Sequence, residues 1–227
     1  MQSPRGTLHL LDGAGLWLEQ ITHGIRRGRP ALFLDRDGVV VEETNYLGRA
    51  IDVVMIPDMA DLIAEVNRAQ IPVVLVTNQS GIARGYYDWN DFRDVQDHIS
   101  DLLRARGAHL DIVLACAYHD VGSARLGVPD HPWRKPNPGM ILEGLELLGA
   151  DPLRSCLVGD KLSDLQAAQR AGLRHAVLTL TGHGRTERAG ALAWAETDAK
   201  PSGFALTIDE TPISPVRNWL ARSTGHS

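Results

Sequence analysis

Apolar residues in this chain gather into short unbroken runs, separated by stretches in which they recur every three or four positions. The runs cover 31–34, 73–76, 111–116, 155–158 and 175–180. Strands buried on both faces need this continuous apolar character, whereas a strand wet on one face alternates. Between the runs, Leu62, Ile63, Val66 and Ala69 repeat at helical spacing before Pro72. Phe92, Val95, Ile99, Leu102 and Leu103 do the same after a turn-rich stretch, and Ile141, Leu145 and Leu148 follow. Strands alternating with amphipathic helices predict an α/β fold, a doubly wound and mostly parallel sheet flanked by helices, Rossmann-like in outline.

The ends read differently. Residues 1–29 form an N-terminal extension in which Leu8, Leu10, Leu11, Leu16, Trp17 and Ile21 make an amphipathic segment packed on the core. Residues 30–185 carry the main domain, and 186–227 a C-terminal extension of it with one further strand over 204–208 and a short helix around Trp219. The pattern weakens beyond Gly182, His183, Gly184 and Arg185. The interval from Gly38 to Asp58 is too short for a core of its own, so no large cap domain is expected.

Polar clusters stand where the predicted strands end or helices begin. Asp35-Arg36-Asp37-Gly38 follows the first run, Thr77-Asn78-Gln79-Ser80-Gly81 the second, and Gly159-Asp160-Lys161-Leu162-Ser163-Asp164 the fourth; Arg134-Lys135-Pro136-Asn137-Pro138-Gly139 opens a helical pattern. In an open parallel sheet, ligands bind at that edge.

Composition narrows the choices. With 227 residues, 44% of them apolar and 22% charged, the chain can bury one large core. A net charge of −5 and the lack of any run of five like charges argue against a duplex or membrane-surface binder. The N-terminus leads into no apolar leader segment and no stretch reaches a membrane span, which predicts a soluble cytoplasmic protein. Cys116 and Cys156, each inside an apolar run, read as free buried thiols. Lysine occurs only at 135, 161 and 200, and two of these lie in the clusters, where a compact point charge is useful. Oligomeric state is not readable from the chain.

The clusters suit phosphoryl transfer. An anionic phosphate repels an attacking carboxylate unless positive charge lies between them, which Mg2+ supplies through oxygen ligands. Asp35 and Asp160, with the backbone carbonyl of Asp37, are the predicted metal ligands, and Asp164 lies one turn further on, to hold a metal-bound water or orient Lys161. Asp35 is the predicted nucleophile, forming an aspartyl phosphate. Asp37 is the acid and base for the leaving alkoxide and the attacking water. Thr77 donates its hydroxyl to the phosphoryl group, and Lys135 neutralises its equatorial oxygens. Taken singly, each residue has an ordinary structural reading as strand residue, loop charge, turn or helix cap. Their order along the chain favours chemistry.

The four segments resemble the signature motifs of the haloacid-dehalogenase-like (HAD-like) phosphatase superfamily. The longer strings Thr77-Asn78-Gln79-Ser80-Gly81-Ile82-Ala83-Arg84-Gly85-Tyr86 and Arg134-Lys135-Pro136-Asn137-Pro138-Gly139-Met140 are similar to those of D-glycero-D-manno-heptose 1,7-bisphosphate phosphatases and histidinol-phosphate phosphatases. The resemblance spans about residues 30 to 185. It implies a largely capless, Mg2+-dependent phosphatase of a small metabolite, first of all a sugar bisphosphate, in which Asn78, Arg84, Arg134 and Lys135 contact the substrate. Many relatives carry a structural zinc loop before the Arg-Lys-Pro motif. Here that stretch reads Ala117-Tyr118-His119, then His131-Pro132-Trp133-Arg134, and only His119 and His131 could ligate. Two histidines make a poor structural zinc site, so none is expected, and Pro129 and Pro132 stiffen the loop instead.

Three other activities fit the motif order: histidinol-phosphate hydrolysis, DNA 3′-phosphate removal, and phospholigand binding without catalysis. The second needs a cationic path for a strand, which the charge pattern lacks. The third predicts loss of the chemical residues, yet Asp35, Asp37, Thr77, Lys135 and Asp160 are all present.

Overall fold

A computed structural model gives the fold, describing residues 9–22, 27–123 and 125–224. In chain order the elements are β1 (Leu16–Gln20), β2 (Leu32–Leu34), α1 (Met59–Arg68), β3 (Val73–Asn78), α2 (Ser80–Ala83), α3 (Trp89–Arg104), β4 (Ile112–Cys116), α4 (Gly139–Leu148), β5 (Cys156–Gly159), α5 (Leu162–Arg170), β6 (His175–Thr179), α6 (Gly184–Trp194), β7 (Ala205–Asp209) and α7 (Ile213–Thr224). The strands make one seven-stranded sheet in the order β1-β4-β3-β2-β5-β6-β7. All pairs are parallel except β1 with β4. The doubly wound α/β reading is therefore correct.

The unbroken apolar runs serve two cores at once, because successive side chains of a strand point to opposite faces. Leu32, Leu34, Val73, Leu75, Val113 and Val158 pack on one face with α1, α3 and α7. Phe33, Val74, Val76, Ile112, Leu114 and Leu157 pack on the other with α4, α5 and α6. Truncating any one of the leucines, Ile112 or Phe33 among these to alanine costs on the order of 2–5 kcal/mol.

The two cysteines divide in the same way, Cys116 into the second core and Cys156 into the first. Both are free, and burial pushes each thiol up to about 12. We predict that neither reacts with a chromogenic disulfide at pH 8 in the native protein, whereas both do so in denaturant. Rapid native reaction of either thiol contradicts this packing.

The termini are built into the body more fully than their weak patterning suggests. Within the stretch read as an N-terminal extension, Leu16–Gln20 is the antiparallel edge strand, in register with β4 from Leu16 opposite Cys116 to Gln20 opposite Ile112. Trp17 is fully buried, stacked on Trp89 and edge-on to Phe92. Leu8 of the predicted amphipathic segment, and the Met1–Arg5 start, lie outside the described residues, and Ile21 is exposed. At the other end, α6, β7 and α7 continue the same sheet and its helical layers; the strand predicted over 204–208 is β7. The sequence pattern did not yield α6, since only Gly184, Ala191 and Trp194 of it are buried. Among the described residues, no helix is long and apolar enough to cross a membrane.

Topology fixes where chemistry can occur. From β2 the chain builds outward through β3 to β4, then crosses back to lay β5, β6 and β7 on the other side of β2. The carboxyl ends of β2, β3 and β5 are thus neighbours at the point where the winding reverses, the crevice where open α/β sheets bind ligands.

Candidate active site

Asp35 is the first residue after β2, and its N–H donates to the carbonyl of Val158 in β5 at 2.9 Å. This bond holds the end of one strand against the end of its neighbour. Beyond β5, Asp160 enters the same space fully buried, and Asp164 follows from the first turn of α5. One carboxylate oxygen from each of Asp35, Asp160 and Asp164 lies within 4.8 Å of the others. Three carboxylates so close repel one another unless cations or protons separate them.

Lys135 is one such cation. Its Nζ sits 2.7 Å from Asp35 Oδ1, 2.7 Å from Asp164 Oδ1 and 2.8 Å from the carbonyl of Val76, so all three of its protons are used. Burial opposes its charge, but Asp164 and Asp35 outweigh that effect and hold its pKa above the ordinary lysine range. Asp164 therefore orients Lys135 through its side chain, where the sequence reading gave it Lys161. Its contact with Lys161 is a bond accepted from the backbone N–H at 3.0 Å.

Asp160 has no such partner. Its Oδ2 accepts the His183 N–H at 2.8 Å, while buried Oδ1 receives no hydrogen bond. Burial, then the charges of Asp35 and Asp164, push this carboxyl up to about 8. An orphaned carboxylate oxygen beside two further carboxylates fits a hard divalent cation, which prefers oxygen ligands.

Asp37, two residues past Asp35, lines the same crevice. Arg36 donates to both its oxygens from Nε at 3.1 and 3.2 Å, and Gln79 Nε2 to Oδ2 at 3.3 Å. Burial raises its pKa; Arg36 opposes that and Asp35 adds to it, leaving a net rise. The turn is made by Gly38, whose φ of +82° suits glycine. Gln79 Nε2 also donates to Thr77 Oγ1 at 2.7 Å, and its Oε1 accepts from Tyr87 and Arg36. With Gln79 as donor, the hydroxyl proton of buried Thr77 is free to point into the crevice.

A cavity of about 660 Å³ opens over these groups, lined among others by Asp35, Asp37, Thr77, Arg134, Lys135 and Asp164. That volume suits a small metabolite. Asn78 reaches it too, but its amide is engaged with the backbone of Lys135, donating to the carbonyl at 3.0 Å and accepting the N–H at 3.1 Å. It clamps the lysine loop. Arg134 Nη1 donates to the Tyr118 carbonyl at 3.1 Å, and exposed Arg84 lies 3.4 Å from Nε2 of His119, which also lines the cavity.

The loop before Arg134 is held by several contacts besides its prolines. His131 stacks on Tyr118 with ring centroids 4.2 Å apart, and its Nδ1 accepts the Trp133 N–H at 3.1 Å. Asn137 Nδ2 donates to Asp130 Oδ1 at 2.7 Å. Neither His119 nor His131 belongs to a metal-capable cluster among the described residues.

Sequence reasoning missed a second, smaller group beside the crevice. Glu43 Oε2 lies 3.5 Å from Lys161 Nζ and 3.3 Å from His183 Nε2, beside a cavity of about 310 Å³ that Asp37 also lines. Gln79 was visible in its motif but had no assigned task. Glu43 and His183 gave no signal, because isolated polar residues in loops are ordinary.

A phosphatase of the HAD-like class is what this sheet edge and its relatives define. Residues 132–205 match the HAD-hydrolase-like family model. A D-glycero-beta-D-manno-heptose-1,7-bisphosphate 7-phosphatase from Mesorhizobium japonicum is 51% identical over 174 residues, covering 76% of this chain and 80% of that protein. The crystal structure of a candidate HAD-like phosphatase from Mesorhizobium loti superposes with a TM-score of 0.80 at 42% identity, over 96% of this chain and 97% of that one. That of D,D-heptose 1,7-bisphosphate phosphatase from B. bronchiseptica, complexed with magnesium and phosphate, gives 0.70 at 29% identity, over 85% and 99%. The chain belongs to the HAD-like hydrolases, within the family of the D-glycero-beta-D-manno-heptose-1,7-bisphosphate 7-phosphatases.

Proposed function

We propose that this phosphatase hydrolyses the 7-phosphate of D-glycero-D-manno-heptose 1,7-bisphosphate, with Asp35 as nucleophile and Mg2+ as cofactor. The observation that carries the reading is the unpartnered Oδ1 of Asp160 beside Asp35, with Lys135 already bridging Asp35 to Asp164. The names of the relatives above supply the substrate. Asp35, Asp160 and the Asp37 carbonyl are the residues to hold Mg2+. Bound there, the ion supplies positive charge between the phosphate and the attacking carboxylate.

Asp35 attacks phosphorus as the ester oxygen departs, and that oxygen takes a proton from Asp37, whose pKa burial raises in favour of the acid form. The second half reverses the proton's path. Asp37, now a carboxylate, takes a proton from water, which attacks the aspartyl phosphate and frees Asp35 and inorganic phosphate. Thr77 donates its hydroxyl to the transferring group, and Lys135 faces its oxygens with fixed positive charge. Arg134, in the cavity lining, and Arg84, beside His119 of that lining, serve as bidentate anion donors for a distal phosphate of the substrate. No structural zinc is assigned to His119 and His131.

The test is a screen of sugar phosphates, sugar bisphosphates, histidinol phosphate, nucleotides and a 3′-phosphorylated oligonucleotide, with Mg2+ and with chelator. Heptose bisphosphate turns over fastest, and chelator abolishes the activity. Faster cleavage of histidinol phosphate or of the oligonucleotide overturns the substrate assignment.

Asp160 adds a pH dependence. Its carboxyl, near 8 in the metal-free fold, must lose a proton to hold the cation, so Mg2+ affinity climbs about tenfold per pH unit from 6 towards 8 and then levels. The sign for stability follows from the same shift. A carboxyl raised from 3.8 to about 8 on folding contributes stability below pH 4 that is lost as pH rises through 8. The metal-free protein is therefore less stable at pH 8 than at pH 5 through this group, and the Mg2+-induced rise in Tm is larger at pH 8. Equal Tm shifts at both values refute this assignment.

A further inference from the structure

The turn after β6 carries none of the motif residues, yet it encloses Asp160. The Thr181 hydroxyl donates to the carbonyl of Gly38, and Thr179 Oγ1 lies 2.9 Å from Thr181 Oγ1. Two residues on, the His183 N–H donates to Asp160 Oδ2 at 2.8 Å. Between them Gly182 has a φ of +52°, and a Cβ there would meet Asp160 Oδ2 and lie 2.7 Å from Gly38 Cα. Added to Gly38, a Cβ would meet the same oxygen and lie 3.1 Å from Gly182 Cα. Two backbones thus close on one carboxylate with no room for a side chain between them. Oδ2 is consumed by the peptide N–H, and Oδ1 is left for another ligand.

We propose that Thr181, Gly182 and the His183 N–H form a positioning element that sets Asp160 for metal binding and locks it to the turn bearing Asp35 and Asp37. The inference rests on the reading of Asp35 and Asp160 as the Mg2+ ligands. Holding Oδ2 fixes the carboxylate's rotation, so one defined oxygen faces the cation. The Thr181 bond ties Gly38 into the same frame, so the spacing between the two ligand-bearing loops is set before the ion arrives. Groups that orient a ligand in this way are worth about 10- to 100-fold in metal affinity.

The experiment measures Mg2+ binding to the full-length protein by titration calorimetry, beside steady-state kinetics, for wild type, Thr181→Val, Thr181→Ser, Gly182→Ala and Asp160→Asn. Thr181→Val keeps the side-chain shape and removes the hydroxyl, with its bonds to Gly38 and Thr179; it weakens Mg2+ about tenfold and leaves the substrate KM at saturating Mg2+ unchanged. Thr181→Ser restores the affinity. Gly182→Ala weakens Mg2+ further, and if that variant does not fold the threonine pair still decides. A fall in Tm for Thr181→Val with wild-type Mg2+ affinity marks a purely structural bond and overturns the proposal. Wild type and Asp160→Asn binding Mg2+ alike would instead sink the metal assignment itself.

Discussion

Asp35→Asn eliminates turnover, with kcat reduced at least about 10³-fold, while the fold persists. The amide has nearly the shape of the carboxylate but neither the charge nor the nucleophilic oxygen to form an acyl phosphate. Its effect on stability is small because two changes oppose each other. Lys135 loses one of its two carboxylate partners, but the repulsion of Asp35 on Asp160 and Asp164 disappears as well. Rapid-quench labelling with substrate phosphorylated by a radioactive phosphate makes the distinction directly: wild type traps acid-stable label on the protein, and the variant traps none. A variant that retains more than a tenth of wild-type activity removes Asp35 from the nucleophile's role.

Lys135→Met carries the largest cost in stability. Lys135 is 4% exposed and its ammonium bridges Asp35 and Asp164, so its removal leaves two buried carboxylates without their cation. Breaking a buried pair from one side costs on the order of 3–5 kcal/mol. The sign with pH is fixed by the carboxylates. Without Lys135 the folded-state pKa of Asp164 rises further, since burial and like charge already act upward on it and only Lys135 among its side-chain partners acts downward. Protonation then relieves the strain, so the deficit is greatest near pH 8 and shrinks as pH falls towards 5. Activity falls in parallel by about 10²-fold or more, because the phosphoryl oxygens lose a fixed charge. Chemical denaturation of both proteins at pH 5 and pH 8 measures the effect. A deficit below about 1 kcal/mol at pH 8 shows that the ion pairs contribute little.

Both predictions rest on residues 100 or more positions apart in sequence, such as Asp35 and Lys135. The strands that deliver them were legible because 31–34, 73–76 and 155–158 are apolar on both faces, a demand few alternatives meet. The edge strand Leu16–Gln20 was not legible as such. Only Leu16 and Trp17 in it are deeply buried, one on each face, and the remaining three positions are half-wet, so neither helical nor strand period dominates. α6 was hidden for a related reason: three buried positions in eleven, one of them a glycine, leave almost no stripe.

The site divides along the same line. Chemistry confined to a few adjacent residues was visible in the chain: the Asp35/Asp37 pair, Thr77 at a strand end, Lys135 before a proline, and Asp160 after the fourth run. The tasks of Gln79, Asn78, Asp164 and the Thr181–His183 turn were not, because each acts through a partner that only folding brings near. Gln79 joins Thr77 to Asp37, Asn78 grips the backbone of Lys135 57 positions away, and Thr181 bonds Gly38 across 143 positions.

The order of residues alone carried the doubly buried sheet and the acidic, hydroxyl and ammonium groups near the ends of its strands, since apolar period and local motif are properties of neighbouring residues. Folding alone settled that Asp35 and Asp164 share the Lys135 ammonium and that Oδ1 of Asp160 is left without a hydrogen bond. Those outcomes depend on distances of a few ångströms between segments whose separation along the chain carries no record of their proximity.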